Sequence, residues 1–242
     1  MSGTTAAGAT VTALLRGDGM LEVTLDDAGP NVLRPEVCDD LVTALDAHPD
    51  APVLLRGREG MFSAGLDLRW MMTSSPEDIG VLLRACGRML VRVWTHPRPV
   101  VVAATGHAIA AGTMLAMAGD HTVAAEGGAW GLNETVNGMQ IPRFGIELAA
   151  ARLAPRALDR LLLEGRRLSA EDAVDVAMAD ELAPPDEVLA RAEERLTALA
   201  ALPTAAYAGN KLRLRQERAR TVLDGLDDDV DGLVAGLAAA VG

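Results

Sequence analysis

The chain has 242 residues, enough for one large domain or for a core with a small appendage. Half of its residues are hydrophobic but only 2% are aromatic, so the core has to be aliphatic and the helices rich in alanine. A formal net charge of −12 argues against nucleic acid or an anionic membrane as the main partner. No apolar run approaches the roughly 18 residues that span a bilayer, and the opening MSGTTAAGAT, with neither a basic start nor an apolar stretch, reads as a frayed terminus. Cys38 and Cys86 form no CxxC pair and no Cys/His cluster at metal spacing. They predict reduced thiols in a cytoplasmic protein and no bound metal.

In chain order, two strand-like runs come first, Thr10 to Arg16 and Met20 to Leu25, and Gly17-Asp18-Gly19 between them predicts a hairpin. A helix follows from about Pro35 to Ala47, then a short apolar strand over 52–57 and a glycine-bearing loop. Leu82, Cys86, Met89 and Val93 recur at helical spacing and predict a long helix that Pro97 and Pro99 end. VVVAATG at 100–106 reads as a fully buried strand. A helix from about Ala111, a strand over 121–126 and a helix from about Phe144 complete an α/β pattern. From about Leu158 onward the chain reads as almost wholly helical, broken at Pro184-Pro185 and Pro203. The predicted division is an α/β core over 1–189 and a helical region over 190–242, packed on the core or on a neighbouring subunit.

Several chemistries are absent as motifs. There is no GxxxxGK[ST] phosphate loop, no GxGxxG after a strand and no HExxH. Ser63 lies in GMFSAG, where the first glycine is one residue too far away for a serine-hydrolase elbow. Two segments stand out instead, MFSAGLDLRWM at 61–71 and GHAIAAGTMLAMAGD at 106–120. Each leaves a strand through small residues and enters a helix, where unpaired backbone N–H groups favour negative charge. Two such turns from adjacent strands can point two N–H groups at one developing oxyanion. Tight packing of strand against helix, with no ligand, is the plain alternative for either segment alone.

Together with AWGLNETVNGMQIP at 129–142, these segments resemble the crotonase superfamily, the enoyl-CoA hydratase/isomerase family. The resemblance runs over nearly the whole chain, from GPNVLRPEVCDDLVTAL through VLLRGREGMFSAGLDL and PRPVVVAATGHAIAAGTMLAMAGD to Glu134. It implies a spiral of ββα units with a helical C-terminal region that builds homotrimers and often hexamers. It also implies an acyl-CoA substrate, with coenzyme A as part of that substrate and no separate cofactor. The oxyanion donors it implies are the backbone N–H groups of Ala64 and Ala111, where the family usually has glycine at the second position. Gly65, Leu66, Asp67, Arg69, Gly112 and Met114 are the residues it places against substrate or around the site. Asp67 is further read as a helix-start acceptor, and Asp120 as structural.

One departure bears on the reaction. Family hydratases carry two glutamates, a natural solution for adding water across a double bond with one acid and one base. Here Met114 occupies the first position and only Glu134 remains. The GLNET stretch at 131–135 is similar to that of 3,2-enoyl-CoA isomerases, in which an aliphatic residue replaces the first glutamate. The resemblance therefore implies isomerisation with one carboxylate as proton shuttle. A 2-enoyl-CoA hydratase that recruits His107 or Glu147 as a second acid or works slowly with Glu134 alone, or a non-catalytic acyl-CoA binder, is the alternative. Burial beside Met114, Trp130 and Leu132 would raise the pKa of Glu134. For the phosphates of coenzyme A the candidates are Arg56, Arg58 and above all Arg69, while Lys211, Arg213 and Arg215 form a second basic strip that touches coenzyme A or makes interface ion pairs.

Overall fold

The computed structural model describes residues 10–241, with side chains described to residue 237. The reading of a frayed terminus falls almost wholly on residues 1–9, outside that range.

The hairpin forms as read: β1 (Val11–Leu15) and β2 (Leu21–Leu25) run antiparallel, with Leu15 opposite Leu21. After β3 (Val32–Leu33), Pro35 opens α1 (Pro35–Ala47) at a position where its missing N–H costs nothing. Next come β4 (Val53–Arg56), β5 (Gly60–Ser63), β6 (Gly65–Leu66) and a four-residue helix, α2 (Leu68–Met71). Ser75 and Asp78 close a reciprocal capping box on α3 (Pro76–Trp94), whose buried face includes Leu82, Cys86, Met89 and Val93. The chain continues through β7 (Val100–Ala104), β8 (Gly106–Ile109), α4 (Ala111–Ala118), β9 (His121–Ala125) and β10 (Ala129–Gly131). After a short 3₁₀ turn over Thr135–Asn137 come α5 (Arg143–Arg152), α6 (Pro155–Glu164), β11 (Leu168–Ser169), α7 (Ala170–Asp175) and β12 (Glu181–Ala183). Three helices end the chain: α8 (Val188–Ala200), α9 (Thr204–Asp224) and α10 (Leu226–Val241).

The strands come in pairs that feed two different sheets. The first strand of each pair, β4, β7 and β9, lies in a six-stranded sheet ordered β1-β2-β4-β7-β9-β12. The second strands, β5, β8 and β10, lie side by side in a four-stranded sheet ordered β11-β10-β8-β5. All neighbours within each trio are parallel. Each ββ pair therefore steps one strand along both sheets before its helix closes the turn, which is a spiral of ββα units. The strands β7 and β9 are buried almost throughout because both faces of the large sheet are covered.

The stretch after Leu158 is almost wholly helical, as expected, with two short strands besides: β12 adds a parallel edge strand beside β9, and β11 pairs antiparallel with β10. Both strands are too short to show a period in the sequence. The expected division at 189/190 falls inside α8, whose Val188, Ala192 and Leu196 form one apolar cluster with Leu54, Val101 and Val123 of the large sheet. Residues 188–200 thus cover the core, and the peripheral helices are α9 and α10.

The basic strip of the tail also has a different task. Lys211 donates to a carboxylate oxygen of Asp120 at 2.7 Å, and Arg215 lies 2.8 Å from the other oxygen, all three side chains being largely buried. Burial pushes the Lys211 ammonium down to about 8 against the pull of Asp120. Asp120 also accepts from the Val100 N–H. This cluster clamps α9 to the start of β7 and β9, so two of the three basic residues are spent on structure.

Candidate active site

The first small-residue loop is built by β5 and β6. Ser63 Oγ donates to the Asn31 carbonyl at 2.7 Å and accepts from the Gly65 N–H at 3.1 Å, a bond that makes the sharp step between the strands. Asn31 is buried and donates to the Leu25 and Phe62 carbonyls, tying the hairpin to this loop. Gly65 has φ +85°, and a Cβ there would stand 2.7 Å from the Ile109 carbonyl and 3.0 Å from the Ala111 nitrogen. Gly112 is under the same constraint, since a Cβ would meet the Ser63 carbonyl at 2.2 Å. The two loops touch only because both residues are glycine.

This contact sets which N–H groups face the cavity. The family resemblance implies Ala64 as the first donor, but the hydrogen bonds leave a different N–H group free. The Ala64 N–H already donates to the Pro30 carbonyl at 2.9 Å. The Asp67 N–H donates to the Leu33 carbonyl at 3.2 Å, where Leu33 pairs with Leu66 in a two-stranded parallel sheet. Successive N–H groups alternate sides along a strand, so the Leu66 N–H lies on the edge away from β3. Leu66 lines the same cavity as Ala111, whereas Ala64 does not. The available donor is therefore two residues beyond the expected one.

Ala111 is the first residue of α4, and its N–H has no partner inside the helix. Its φ is not positive, and the strain falls one residue earlier, on Ala110 at φ 52° and ψ −122°. Such a conformation costs an L residue about 1–3 kcal/mol. It is held by the Ala110 N–H donating to the Gly131 carbonyl at 2.7 Å. Thr113 Oγ donates to the Ala108 carbonyl at 2.6 Å and bridges to Gly131. The same Gly131 that fixes the start of α4 ends β10, three residues before Glu134.

Glu134 begins the 3₁₀ turn, where its carbonyl accepts from the Asn137 and Met139 N–H groups, both at 2.9 Å. Its side chain is 7% exposed, and Oε2 has no hydrogen-bond partner within the chain. Burial pushes its pKa up to about 7, outweighing a bond from its own backbone N–H. It faces a cavity of about 220 Å³ lined also by Leu66, Ala111, Met114, Gln140, Phe144 and Leu233. Among the described residues lining that cavity, Glu134 is the only ionisable one. Gln140, which motif reading passed over, is the other polar side chain there, and Leu233 and Leu237 of α10 cover it from the C-terminal side. A carboxyl group that titrates near neutral pH, beside two N–H groups and mostly apolar walls, can take and return a proton on carbon next to a polarised carbonyl.

The remaining expected residues sort by what they touch. Asp67 caps α2 by accepting from the Trp70 N–H at 3.0 Å, and it pairs with Arg34. These bonds hold its carboxyl below the usual range against the opposing effect of burial. It shapes the loop without lining the cavity. Arg56 pairs with Glu22, and Arg58 donates to the Gly29 carbonyl. Arg69 is exposed on α2 and in no ion pair among the described residues. His107 Nδ1 accepts from the Ala129 N–H, and Glu147 pairs with Arg143 and Arg218, so neither alternative second acid reaches the cavity. No group of His, Cys, Asp and Glu side chains among the described residues is arranged to hold a metal ion.

A spiral of ββα units with two loop N–H groups converging on one cavity is the architecture of the crotonase superfamily. The sequence profile of the enoyl-CoA hydratase/isomerase family matches residues 16–233, and the chain belongs to that family and is an enzyme of it. A probable enoyl-CoA hydratase of Mycobacterium tuberculosis H37Rv is similar in structure, with 31% identity, a TM-score of 0.87 and coverage of 96% of this chain and 98% of its own. Human mitochondrial delta3-delta2-enoyl-CoA isomerase is 26% identical with a TM-score of 0.89, over 94% of this chain and 91% of its own. A putative enoyl-CoA hydratase of Thermus thermophilus is 34% identical over 67% of each chain.

Proposed function

We propose that this enzyme moves the double bond of a 3-enoyl-CoA to the 2-position. The Glu134 carboxylate takes a proton from C2. The resulting dienolate carries its charge on the thioester oxygen, which accepts from the Leu66 and Ala111 N–H groups. Glu134, now protonated, returns the proton to C4. No atom is gained or lost, so the reaction needs no cofactor, and coenzyme A enters only as part of the substrate.

The observation that carries this reading is that Glu134 is the single ionisable side chain among the described residues lining the cavity. Hydration is naturally served by a second acid or base for the water, and Met114, which by the resemblance takes that residue's position, lines the cavity instead. The similarity to the human isomerase supports the same reading, while relatives named as hydratases keep hydration as the rival. The test is to supply 3-enoyl-CoA and 2-enoyl-CoA separately and follow the conjugated thioester absorbance. Absorbance should grow with the first substrate and persist with the second. Rapid loss with the second and no growth with the first would overturn the assignment in favour of hydration.

Around this centre, Arg69 is the proposed contact for a coenzyme A phosphate, being on the loop of the first donor and not committed to a carboxylate. Two free, buried cysteines fit a cytoplasmic location. The assembly is read as a homotrimer or a dimer of trimers, built on the tail helices, where Leu212, Leu214 and Leu223 of α9 are exposed in the single chain. Sedimentation should give a species at three or six times the 25.3 kDa chain mass, and a stable monomer at micromolar concentration would refute the assembly.

A further inference from the structure

Every residue of α4 is buried, and all but one of them are alanine, glycine, methionine or leucine. The exception is Thr113. A hydroxyl in such a place costs free energy unless it is hydrogen-bonded, and valine would fill nearly the same volume without that cost. The Thr113 hydroxyl is bonded on two sides. It donates to the Ala108 carbonyl of β8 at 2.6 Å and accepts from the Gly131 N–H of β10 at 3.2 Å. The two strands run parallel, with Gly131 opposite Ile109, so the hydroxyl sits where the ladder between them ends.

Gly131 makes a second bond to the same helix entry, because its carbonyl accepts from the Ala110 N–H at 2.7 Å. Ala110 and Thr113 thus grip one residue of β10 from either side of Ala111 and Gly112. The peptide plane between Ala110 and Ala111 is fixed at its other edge as well. There the Ala110 carbonyl accepts from the Met114 N–H at 3.1 Å. That plane carries the Ala111 N–H, and its direction depends on the strained torsions of Ala110.

We propose that Thr113 is a positioning residue: its hydroxyl, through Ala108 and Gly131, holds the strained entry of α4 and so aims the Ala111 N–H at the thioester oxygen. Thr113 itself does not line the cavity, so it acts only through the backbone. The inference rests on the reading of Ala111 as an oxyanion donor. Without the hydroxyl, the Gly131 N–H loses this acceptor and Ala110 is freer to relax toward an ordinary conformation. A donor turned slightly away still tolerates the ground-state carbonyl but meets the developing charge poorly. The loss should therefore fall on kcat, with KM little changed.

The test compares Thr113→Val, which removes the hydroxyl and keeps the branched shape, with Thr113→Ser, which keeps the hydroxyl. Isomerase rates are paired with infrared difference spectra of a saturated acyl-CoA, isotopically labelled at the thioester carbonyl and bound to the intact protein. The carbonyl stretch reports how strongly the donors polarise that bond, without turnover. Valine should lower kcat by about 10- to 100-fold, the scale of a misplacement of about 1 Å, with KM within about threefold. It should also cancel roughly half or more of the downward shift that binding gives the stretch in the wild type. Serine should restore both. Should valine prevent folding, Thr113→Cys keeps a similar size with a much weaker hydrogen-bonding group, and its stretch should lie between those of the wild type and the free thioester. A folded valine or cysteine variant with an unmoved stretch would overturn the proposal, whatever its rate, as would a loss that serine fails to restore. A stretch that depends on the hydroxyl, in an enzyme that moves no double bond, would sink the proposed reaction and leave the role of Thr113 standing. Isomerisation by the valine variant at the wild-type rate would do the reverse.

Discussion

Glu134→Gln leaves the protein able to bind acyl-CoA but lowers isomerase turnover by at least about a thousandfold, within the range lost when a general acid–base group is removed. Affinity for a saturated acyl-CoA should stay within about tenfold, or roughly 1.4 kcal/mol, because in the proposed reaction the thioester oxygen is held by backbone N–H groups that the substitution does not touch. The amide matches the carboxylate in size, and Oε2 has no partner to lose. In the wild type, kcat/KM should rise with pH through about 7, since the base works only when ionised and burial holds its pKa there. Stability should move the other way. The pKa of Glu134 is raised from 4.5 to about 7 in the folded state, so the folded state holds the proton to higher pH than the unfolded chain does. Its contribution is complete below about 4.5 and is lost as pH rises through 7. Thermal unfolding at pH 5 and pH 8 should therefore show the glutamine variant gaining on the wild type at the higher pH. A variant that keeps most of its turnover, or a wild-type profile flat across neutrality, would remove Glu134 from the mechanism.

Glu134 is picked out by the family resemblance of its segment, and the places where sequence reading falls short have physical causes. Long periodic elements announce themselves: α1 spans the residues predicted for it, and α3 follows its apolar stripe. The buried strand β7 is a run of valine and alanine that nothing else explains. The second strand of each ββ pair is different. The strands β5, β8 and β10 are three or four residues long and start or end at glycine, so no period can be counted and they read as loop. Those same short strands carry the small-residue loops, where the resemblance implies Ala64 as the first donor. The motif located the loop, but only hydrogen-bond accounting distinguishes the spent Ala64 N–H from the available one at Leu66. The basic strip misled for a related reason. Sequence shows Lys211 and Arg215 as one face of a helix but cannot show that Asp120, far away in the chain, lies beneath it.

Met114→Glu should raise 2-enoyl-CoA hydratase activity relative to isomerase activity, by about the 10²–10⁴-fold that a second acid–base group contributes when well placed. Met114 lies about one turn into α4 from Ala111 and lines the same cavity as Glu134. Its thioether end rests on α5 at Gly145, where a Cβ would come within 2.6 Å of the Met114 terminal methyl carbon. Glutamate is close to methionine in length and needs no new room, so overpacking costs little. Two carboxyl groups facing one small cavity repel when both are ionised, and one should retain its proton near neutral pH. That arrangement supplies what water addition requires: an ionised base to activate the water and a protonated acid to deliver hydrogen to C2. The cost is burial, because Met114 is 1% exposed and its apolar neighbours solvate a charge poorly. Thermal unfolding must accompany the rates, and a Met114→Gln variant controls for polarity without a titrating group. Only the glutamate should hydrate 2-enoyl-CoA, with loss of the conjugated absorbance rising through the pH range where one carboxyl ionises. A folded glutamate variant with no gain over Met114→Gln would show that the missing carboxylate does not set the choice of reaction. A wild type that already hydrates at rates common among enzymes, about 1–1,000 per second, would show that one carboxylate suffices for both chemistries.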